Sequence, residues 1–85
     1  MKKVTIYTTA VCPYCVRAKS FLKGEGIAFT EVNLEGKPDE MKALKERTGL
    51  RTVPQIFFGE ELIGGCDDLL ALNASGKLKE KLGAP

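Results

Sequence analysis

The residues best suited to chemistry are two cysteines spaced three positions apart, in the tetrapeptide Cys12-Pro13-Tyr14-Cys15. A thiolate sulfur attacks disulfides, and a second cysteine at this spacing can then close an internal disulfide. A free cysteine has a pKa near ~8.5, so only about 3% of it is ionised at pH 7. The pair therefore predicts thiol–disulfide exchange, provided that its surroundings favour the thiolate.

The segment around the pair has the features of a helix start that follows a strand. Pro13 suits the first helical position, because proline has no N–H group to leave unpaired there. The helix dipole favours an anion by about 0.3–2 kcal/mol, which is at most about 1.5 pKa units. Hydrogen bonds from the N–H groups of Tyr14 and Cys15 must supply the rest. We therefore expect Cys12 to be the exposed nucleophile, and Cys15, one turn into the helix, to face the core and resolve the intermediate.

A metal site and a static disulfide are the alternative interpretations of the pair. A zinc site needs four ligands, for which only Cys66 and carboxylates remain, because the chain has no histidine. We therefore expect no metal.

The segment Thr52-Val53-Pro54 precedes an expected buried strand. An X-Pro bond is the one common site for a cis peptide. A cis bond here would turn the N–H and C=O groups of Val53 outward, where they could pair with an extended, peptide-like ligand. Alone, the tripeptide is equally compatible with an ordinary strand start.

The segment Gly64-Gly65-Cys66-Asp67-Asp68 leads into another expected helix. Glycines let the backbone approach a ligand closely, and free N–H groups at a helix start suit a carboxylate. Asp67 could accept a hydrogen bond from an ammonium group. Either aspartate could instead simply cap the helix.

Basic residues concentrate in one predicted helix and immediately before and after it. We interpret most of these as a solvated face: Lys37, Lys42, Lys45 and Arg47. Arg51 differs, because it directly precedes Thr52 and could reach a ligand carboxylate.

The elements that position these residues follow the order β-α-β-α-β-β-α, with a short C-terminal helix. Strands are expected at residues 4–8, 28–33, 55–58 and 62–63, and helices at 13–23, 38–48, from 67 onward, and at 78–82. Alternating strands and helices imply a parallel β-α-β unit, followed here by an antiparallel hairpin. The sequence therefore predicts an α/β fold with a four-stranded mixed sheet flanked by helices.

With 85 residues, 44% of them hydrophobic and 28% charged, the chain has room for one small domain, residues 1–85. A net charge of +2 without a dense basic run gives no reason to expect a nucleic-acid partner. There is no apolar stretch long enough for a membrane helix and no export signal, so we expect a cytoplasmic protein. We also expect a monomer. Closely spaced cysteines in a reducing compartment are more often redox-active than structural.

Together, the three motifs resemble the dithiol glutaredoxins, and most closely the small bacterial type with a third cysteine after the double glycine. The match covers nearly the whole chain. It implies a thioredoxin-like fold with a cis peptide at Pro54, and an enzyme that reduces protein disulfides and glutathione mixed disulfides. Glutathione would be the co-substrate, and disulfide-containing or glutathionylated proteins the clients, with ribonucleotide reductase as one candidate.

The resemblance also implies a glutathione site. The cysteinyl portion would pair with Val53, and the glycyl carboxylate would lie near Arg51. The γ-glutamyl end would meet the N–H groups of Cys66 and Asp67. The full expected set is Tyr14, Arg51, Thr52, Val53, Pro54, Gly65, Cys66 and Asp67. One departure stands out, because Thr9 occupies a position where many family members carry a lysine, so a cation near the thiolate is missing.

Two rival functions stay open. One is a thioredoxin-like enzyme reduced by a flavoprotein reductase, against which the pair Gly65 and Asp67 argues. The other is a cluster or metal carrier that uses Cys12 with glutathione, which Pro13 and Cys15 disfavour relative to a Gly-Phe-Ser loop.

Overall fold

A computed structural model describes residues 1–83 and confirms the expected order of strands and helices. The elements are β1 (Val4–Thr8), α1 (Pro13–Gly24), β2 (Thr30–Asn33), α2 (Pro38–Thr48), β3 (Gln55–Phe58), β4 (Glu61–Gly64), α3 (Cys66–Ala74) and α4 (Leu78–Leu82). No helix within residues 1–83 is long and apolar enough to cross a bilayer.

The four strands form one mixed sheet in the order β2-β1-β3-β4. β1 runs parallel to β2 and antiparallel to β3, and β3 pairs antiparallel with β4. The expected β-α-β unit and the hairpin are therefore both present. The connection through α1 brings the carboxyl ends of β1 and β2 to the same edge, where the cysteine pair follows β1.

Alternating side chains on the two central strands divide the core into two layers. Val4, Ile6, Ile56 and Phe58 pack in a cluster with residues of α1, α3 and α4, among them Ala18, Leu22, Leu69, Leu78 and Leu82. On the other face, Phe57 packs with Leu34 and with Leu44 of α2. Helices therefore cover both faces of the sheet.

β2 is shorter than expected, since residues 28 and 29 lie outside it. Its pairing with β1 begins with Thr5 opposite Thr30, so residue 29 would lie beside Val4, the first residue of β1, and residue 28 beside residue 3, which precedes it. The position of the neighbouring strand, rather than local composition, sets this boundary.

The start of α3 also differs, since the helix begins at Cys66 rather than at Asp67. Gly65 is the N-cap, so both aspartates lie inside the first turn. That placement sets the position of the Cys66 side chain within the core.

Candidate active site

Cys12 lies at the junction between the sheet and α1. It is the N-cap residue of the helix, has an extended backbone, and is followed by Pro13 at the first helical position. The N–H group of Cys15 donates a hydrogen bond to the Cys12 sulfur over 3.1 Å. Tyr14, the other donor expected from the sequence, makes no such bond within residues 1–83. A bond of this kind stabilises a thiolate more than a thiol.

The two cysteines differ sharply in their surroundings. Cys12 is partly exposed, whereas Cys15 is 1% exposed and lies against the interior. Their sulfurs are joined in a disulfide, with the Cα atoms 5.2 Å apart. Only Cys12 is therefore open to a sulfur that arrives from solvent, while Cys15 is placed to react with Cys12.

The loop before Cys12 is tied to the segment that follows β2. The N–H group of Leu34 donates to the Thr8 carbonyl over 2.8 Å, and that of Ala10 donates to the Glu35 carboxylate over 3.1 Å. These bonds hold the backbone on the strand side of Cys12.

A cluster of polar side chains also stabilises the junction between the sheet and α1. The buried Thr8 hydroxyl donates to the Glu31 carboxylate over 2.7 Å, and Lys19 of α1 pairs with that carboxylate at 3.0 Å. These bonds, with the Thr8 hydroxyl making the largest contribution, lower the pKa of Glu31. The cluster connects β1, β2 and α1 at the end of the sheet that carries the cysteines.

Val53 and Pro54 lie next to the cysteine pair. The peptide bond between them is cis, as the resemblance implied. The Cys12 sulfur lies 3.7 Å from the Val53 carbonyl oxygen. A ligand bonded to that sulfur would therefore lie directly beside the backbone of Val53.

Gln55 supports this segment, although the sequence pattern indicates only a buried strand at residues 55–58 and gives Gln55 no role. Its side chain is fully buried, and its Nε2 atom donates to the carbonyl oxygens of Leu50 and Thr52 over 3.4 and 3.1 Å. Two carbonyl acceptors require the NH₂ end to face them. Gln55 thus holds the loop that leads to Val53, while its Oε1 atom has no hydrogen-bond partner within residues 1–83.

The start of α3 borders the site next to Pro54. The Asp68 carboxylate accepts a hydrogen bond from the Gly65 N–H group over 2.9 Å. A side chain at Gly64, where φ is +122°, would overlap that carboxylate. Asp68 therefore takes the capping role, and Asp67 is left exposed at the rim of the site.

Cys66, the first residue of α3, has its side chain in the core rather than at the surface. It is 3% exposed and belongs to the cluster packed beneath α1 and α3. Burial raises the pKa of the Cys66 thiol. The side chain is therefore a poor nucleophile, although the backbone of Cys66 remains at the site.

A groove of about 420 Å³ runs between these segments. Most of the residues expected to contact glutathione line it: Tyr14, Thr52, Val53, Pro54, Gly65, Cys66 and Asp67, together with Leu50 and Asp68. Segments distant in the sequence are thereby brought to one surface.

Arg51 and Cys12 lie in a second, adjoining depression of about 350 Å³ that also includes Thr52 and Val53. Thr9 and Lys45 line it too. Lys45 is therefore a second cation, with Arg51, in the wall of the depression that contains Cys12. The expectation that Lys45 belongs to a solvated helix face is wrong, because the packing of α2 against the sheet turns Lys45 toward this depression.

Comparison with known proteins gives one consistent result. Residues 4–63 match the glutaredoxin family model. A glutaredoxin of Pseudomonas aeruginosa is 51% identical over 99% of this chain and 100% of its own length, and glutaredoxin 3 of Escherichia coli is 47% identical over 92% and 94%.

Solved structures show the same similarity. A buckwheat glutaredoxin–glutathione complex superposes with a TM-score of 0.88 at 30% identity, covering 96% of this chain and 77% of the other. The glutaredoxin of Brucella melitensis gives a TM-score of 0.85 at 45% identity, covering 100% and 95%.

Proposed function

The chain belongs to the glutaredoxin family and is a glutathione-dependent thiol–disulfide oxidoreductase with a thioredoxin-like fold, and we propose that Cys12 is its nucleophile and Cys15 its resolving cysteine. Residues 1–85 would act as one glutaredoxin domain; residues 84 and 85 lie outside the described part of the chain. The unequal exposure of the two sulfurs supports the assignment of roles most directly.

In the first step, the Cys12 thiolate attacks one sulfur of a substrate disulfide. A bond forms between Cys12 and that sulfur, the substrate S–S bond breaks, and the other sulfur leaves as a thiolate that takes a proton from solvent. The helix start supports this step, because the Cys15 N–H group donates to the Cys12 sulfur.

The second step differs between substrates. When a protein is bonded to Cys12, Cys15 loses its proton and attacks the Cys12 sulfur, which releases the protein thiol and leaves the Cys12–Cys15 disulfide. Two glutathione molecules then reduce that disulfide and become glutathione disulfide, so two electrons are transferred in all. When glutathione is bonded to Cys12, a second glutathione can resolve the bond without Cys15.

Glutathione would lie across the groove and the adjoining depression. Its cysteinyl backbone would pair with Val53, supported by the 3.7 Å separation between the Cys12 sulfur and the Val53 carbonyl. Its γ-glutamyl carboxylate would meet the N–H groups of Cys66 and Asp67, and the exposed Asp67 carboxylate would accept from its ammonium group. Tyr14, Thr52, Pro54 and Gly65 would complete the walls.

The glycyl carboxylate would lie between Arg51 and Lys45. Both line the depression that contains Cys12, whereas Thr9, at the position of the family lysine, carries no charge. Lys45 would thus supply from α2 a cation that is absent at Thr9. The buckwheat glutaredoxin–glutathione complex supports the use of glutathione in a fold of this kind.

The clients would be proteins with disulfides or glutathione mixed disulfides, ribonucleotide reductase among the candidates, and a reducing cytoplasm would suit this chemistry. The decisive experiment is reduction of the mixed disulfide between glutathione and β-mercaptoethanol, coupled to glutathione reductase. We expect turnover that depends on both glutathione and Cys12. If thioredoxin reductase supported turnover and glutathione did not, the proposed electron donor would be wrong.

A further inference from the structure

A groove of about 560 Å³ runs along α2. It shares Met41, Lys45 and Arg51 with the depression that contains Cys12. A peptide whose sulfur is bonded to Cys12 would therefore have a continuous path from that sulfur into the groove. We call this surface the α2 groove; its remaining lining residues are Pro38, Lys42, Glu46, Gly49 and Leu50.

The charges of the α2 groove are strongly unequal. Lys42, Lys45 and Arg51 line it against one carboxylate, that of Glu46. None of the three cations forms an ion pair within residues 1–83, where the paired lysines are instead Lys2, Lys19 and Lys81. Their positive potential is therefore available to a partner.

The other groove at the active site has the opposite charge. Asp67 and Asp68 border the groove that we assign to glutathione. Carboxylates therefore border one groove near Cys12, and cations border the other. This polarity gives an acidic chain segment one favourable direction in which to lie.

The floor of the α2 groove also suits a polypeptide. Pro38, Met41 and Leu50 provide apolar contact between the charged side chains. Val11, 90% exposed, lies at the lip of the depression at Cys12. Apolar floor and charged rim together are typical of a surface that binds an extended segment.

We propose that the α2 groove docks protein clients that carry carboxylates two to four residues from the target cysteine. This inference rests on the proposed function, because the client must be bonded to Cys12 while it docks. An extended chain covers about 3.3–3.6 Å per residue, so two to four residues span about 7–14 Å. Lys42 and Lys45 are three residues apart, which places them side by side on one helix face.

A variant at Lys42 can test client docking independently of glutathione binding. Lys45 and Arg51 line both the α2 groove and the depression at Cys12, so a change in either would disturb glutathione as well. Lys42 lines the α2 groove alone and is exposed. Its replacement therefore tests the client surface without altering the glutathione site.

The test uses two synthetic peptides, each with one internal disulfide, that differ only in two glutamates or two glutamines at the second and fourth positions from the target cysteine. We expect the wild type to reduce the glutamate peptide with a kcat/KM about two- to fivefold higher, the range of exposed charge pairs. The preference should shrink as salt is added. Lys42→Glu should abolish or reverse it, whereas Lys79→Glu, the same charge change at an exposed position of α4, should retain it.

The small mixed disulfide of glutathione and β-mercaptoethanol serves as the reference substrate. All three proteins should reduce it at similar rates. Equal rates on the two peptides for the wild type, or the same loss of preference in Lys79→Glu as in Lys42→Glu, would overturn the docking inference. Failure of the wild type on the reference substrate would instead overturn the proposed function.

Discussion

Cys12 and Cys15 have the same side chain, and the helix start makes them chemically different. Cys12 precedes the first turn, and its sulfur accepts a hydrogen bond from the N–H group of Cys15, while the Cys15 side chain is buried in the core. An anion at the helix start gains about 0.3–2 kcal/mol from the dipole, equivalent to at most about 1.5 pKa units. The hydrogen bond and the dipole act on the same sulfur, so both favour a thiolate at Cys12.

Cys66 shows the reverse effect of environment on a thiol. Its side chain lies in the core, and burial raises its pKa, so it stays protonated at neutral pH. We expect Cys66→Ser to keep kcat/KM within about threefold of wild type, at a cost in stability of about 1–3 kcal/mol for a buried hydroxyl. Cys66→Ala, which buries no polar atom, should keep the same activity with a smaller loss. Steady-state kinetics and urea unfolding measure the two effects, and a hundredfold loss of kcat/KM in both variants would show that the side chain takes part in catalysis.

At the scale of elements, β3 carries the residue that connects the sheet to the ligand loop. Gln55 is the first residue of the strand, and its amide holds two carbonyls of the loop before Val53. The strand thus fixes both Pro54 and the backbone expected to pair with glutathione.

Gln55→Met keeps the length of the side chain and removes its donor. The carbonyl groups of Leu50 and Thr52 would lose their partner, so we expect stability to fall by about 1–3 kcal/mol. We also expect kcat/KM for the glutathione mixed disulfide to fall about tenfold, since small misplacements at a site are costly.

Val4→Ala is the matched control for Gln55→Met, because Val4 is buried at the opposite end of the sheet, beside Phe58. It should lower stability without a comparable change in kinetics. Equal kinetic losses in the two variants would mean that Gln55 contributes stability alone.

The Glu31 cluster ties β2 to β1 and α1, and it makes this junction sensitive to pH. Hydrogen bonds from Thr8 and Lys19 lower the pKa of Glu31 in the folded protein. The charged Glu31 carboxylate therefore stabilises the fold fully at pH values above 4.5, the ordinary pKa of a glutamate side chain. That contribution is lost as the pH falls through the lower pKa of the folded state.

We therefore expect wild type to be more stable than Glu31→Gln at pH 7, with the difference shrinking toward zero in acid. Urea unfolding of the oxidised proteins from pH 7 downward measures it. Glu80→Gln, at an exposed position of α4, is the control and should follow the wild type. A difference between wild type and Glu31→Gln that stays constant across this range would contradict the role of the charge.

At the scale of the whole molecule, the site forms where three separate chain segments meet at one end of the sheet. The cysteine pair, the loop before β3 and the start of α3 each have local signals, namely Pro13, Pro54 and the paired glycines. The sequence therefore predicts the reactive pair, the order of elements and the segments that form the groove.

Features that depend on packing between distant segments could not be predicted. The first residue of β2 is set by its register with β1. Lys45 and Arg47 lie on different faces of α2. Only the packing of α2 against the sheet shows that Lys45 lines the depression at Cys12 and that Arg47 lies over the Phe57 ring, 4.9 Å from its centre. The role of Gln55 could not be predicted, because its hydrogen-bond partners are carbonyl groups of a loop whose path the sequence does not specify.

The central claim is that Cys12 is the nucleophile and Cys15 the resolving cysteine. Intact-mass analysis and activity assays of two serine variants test it most directly. Cys12→Ser removes the activated nucleophile, so reduction of both protein disulfides and glutathione mixed disulfides should vanish. Cys15→Ser should keep deglutathionylation, lose most reduction of internal protein disulfides, and carry one added glutathione in its mass spectrum. Substantial activity in Cys12→Ser, or equal loss of deglutathionylation in both variants, would contradict the assigned roles.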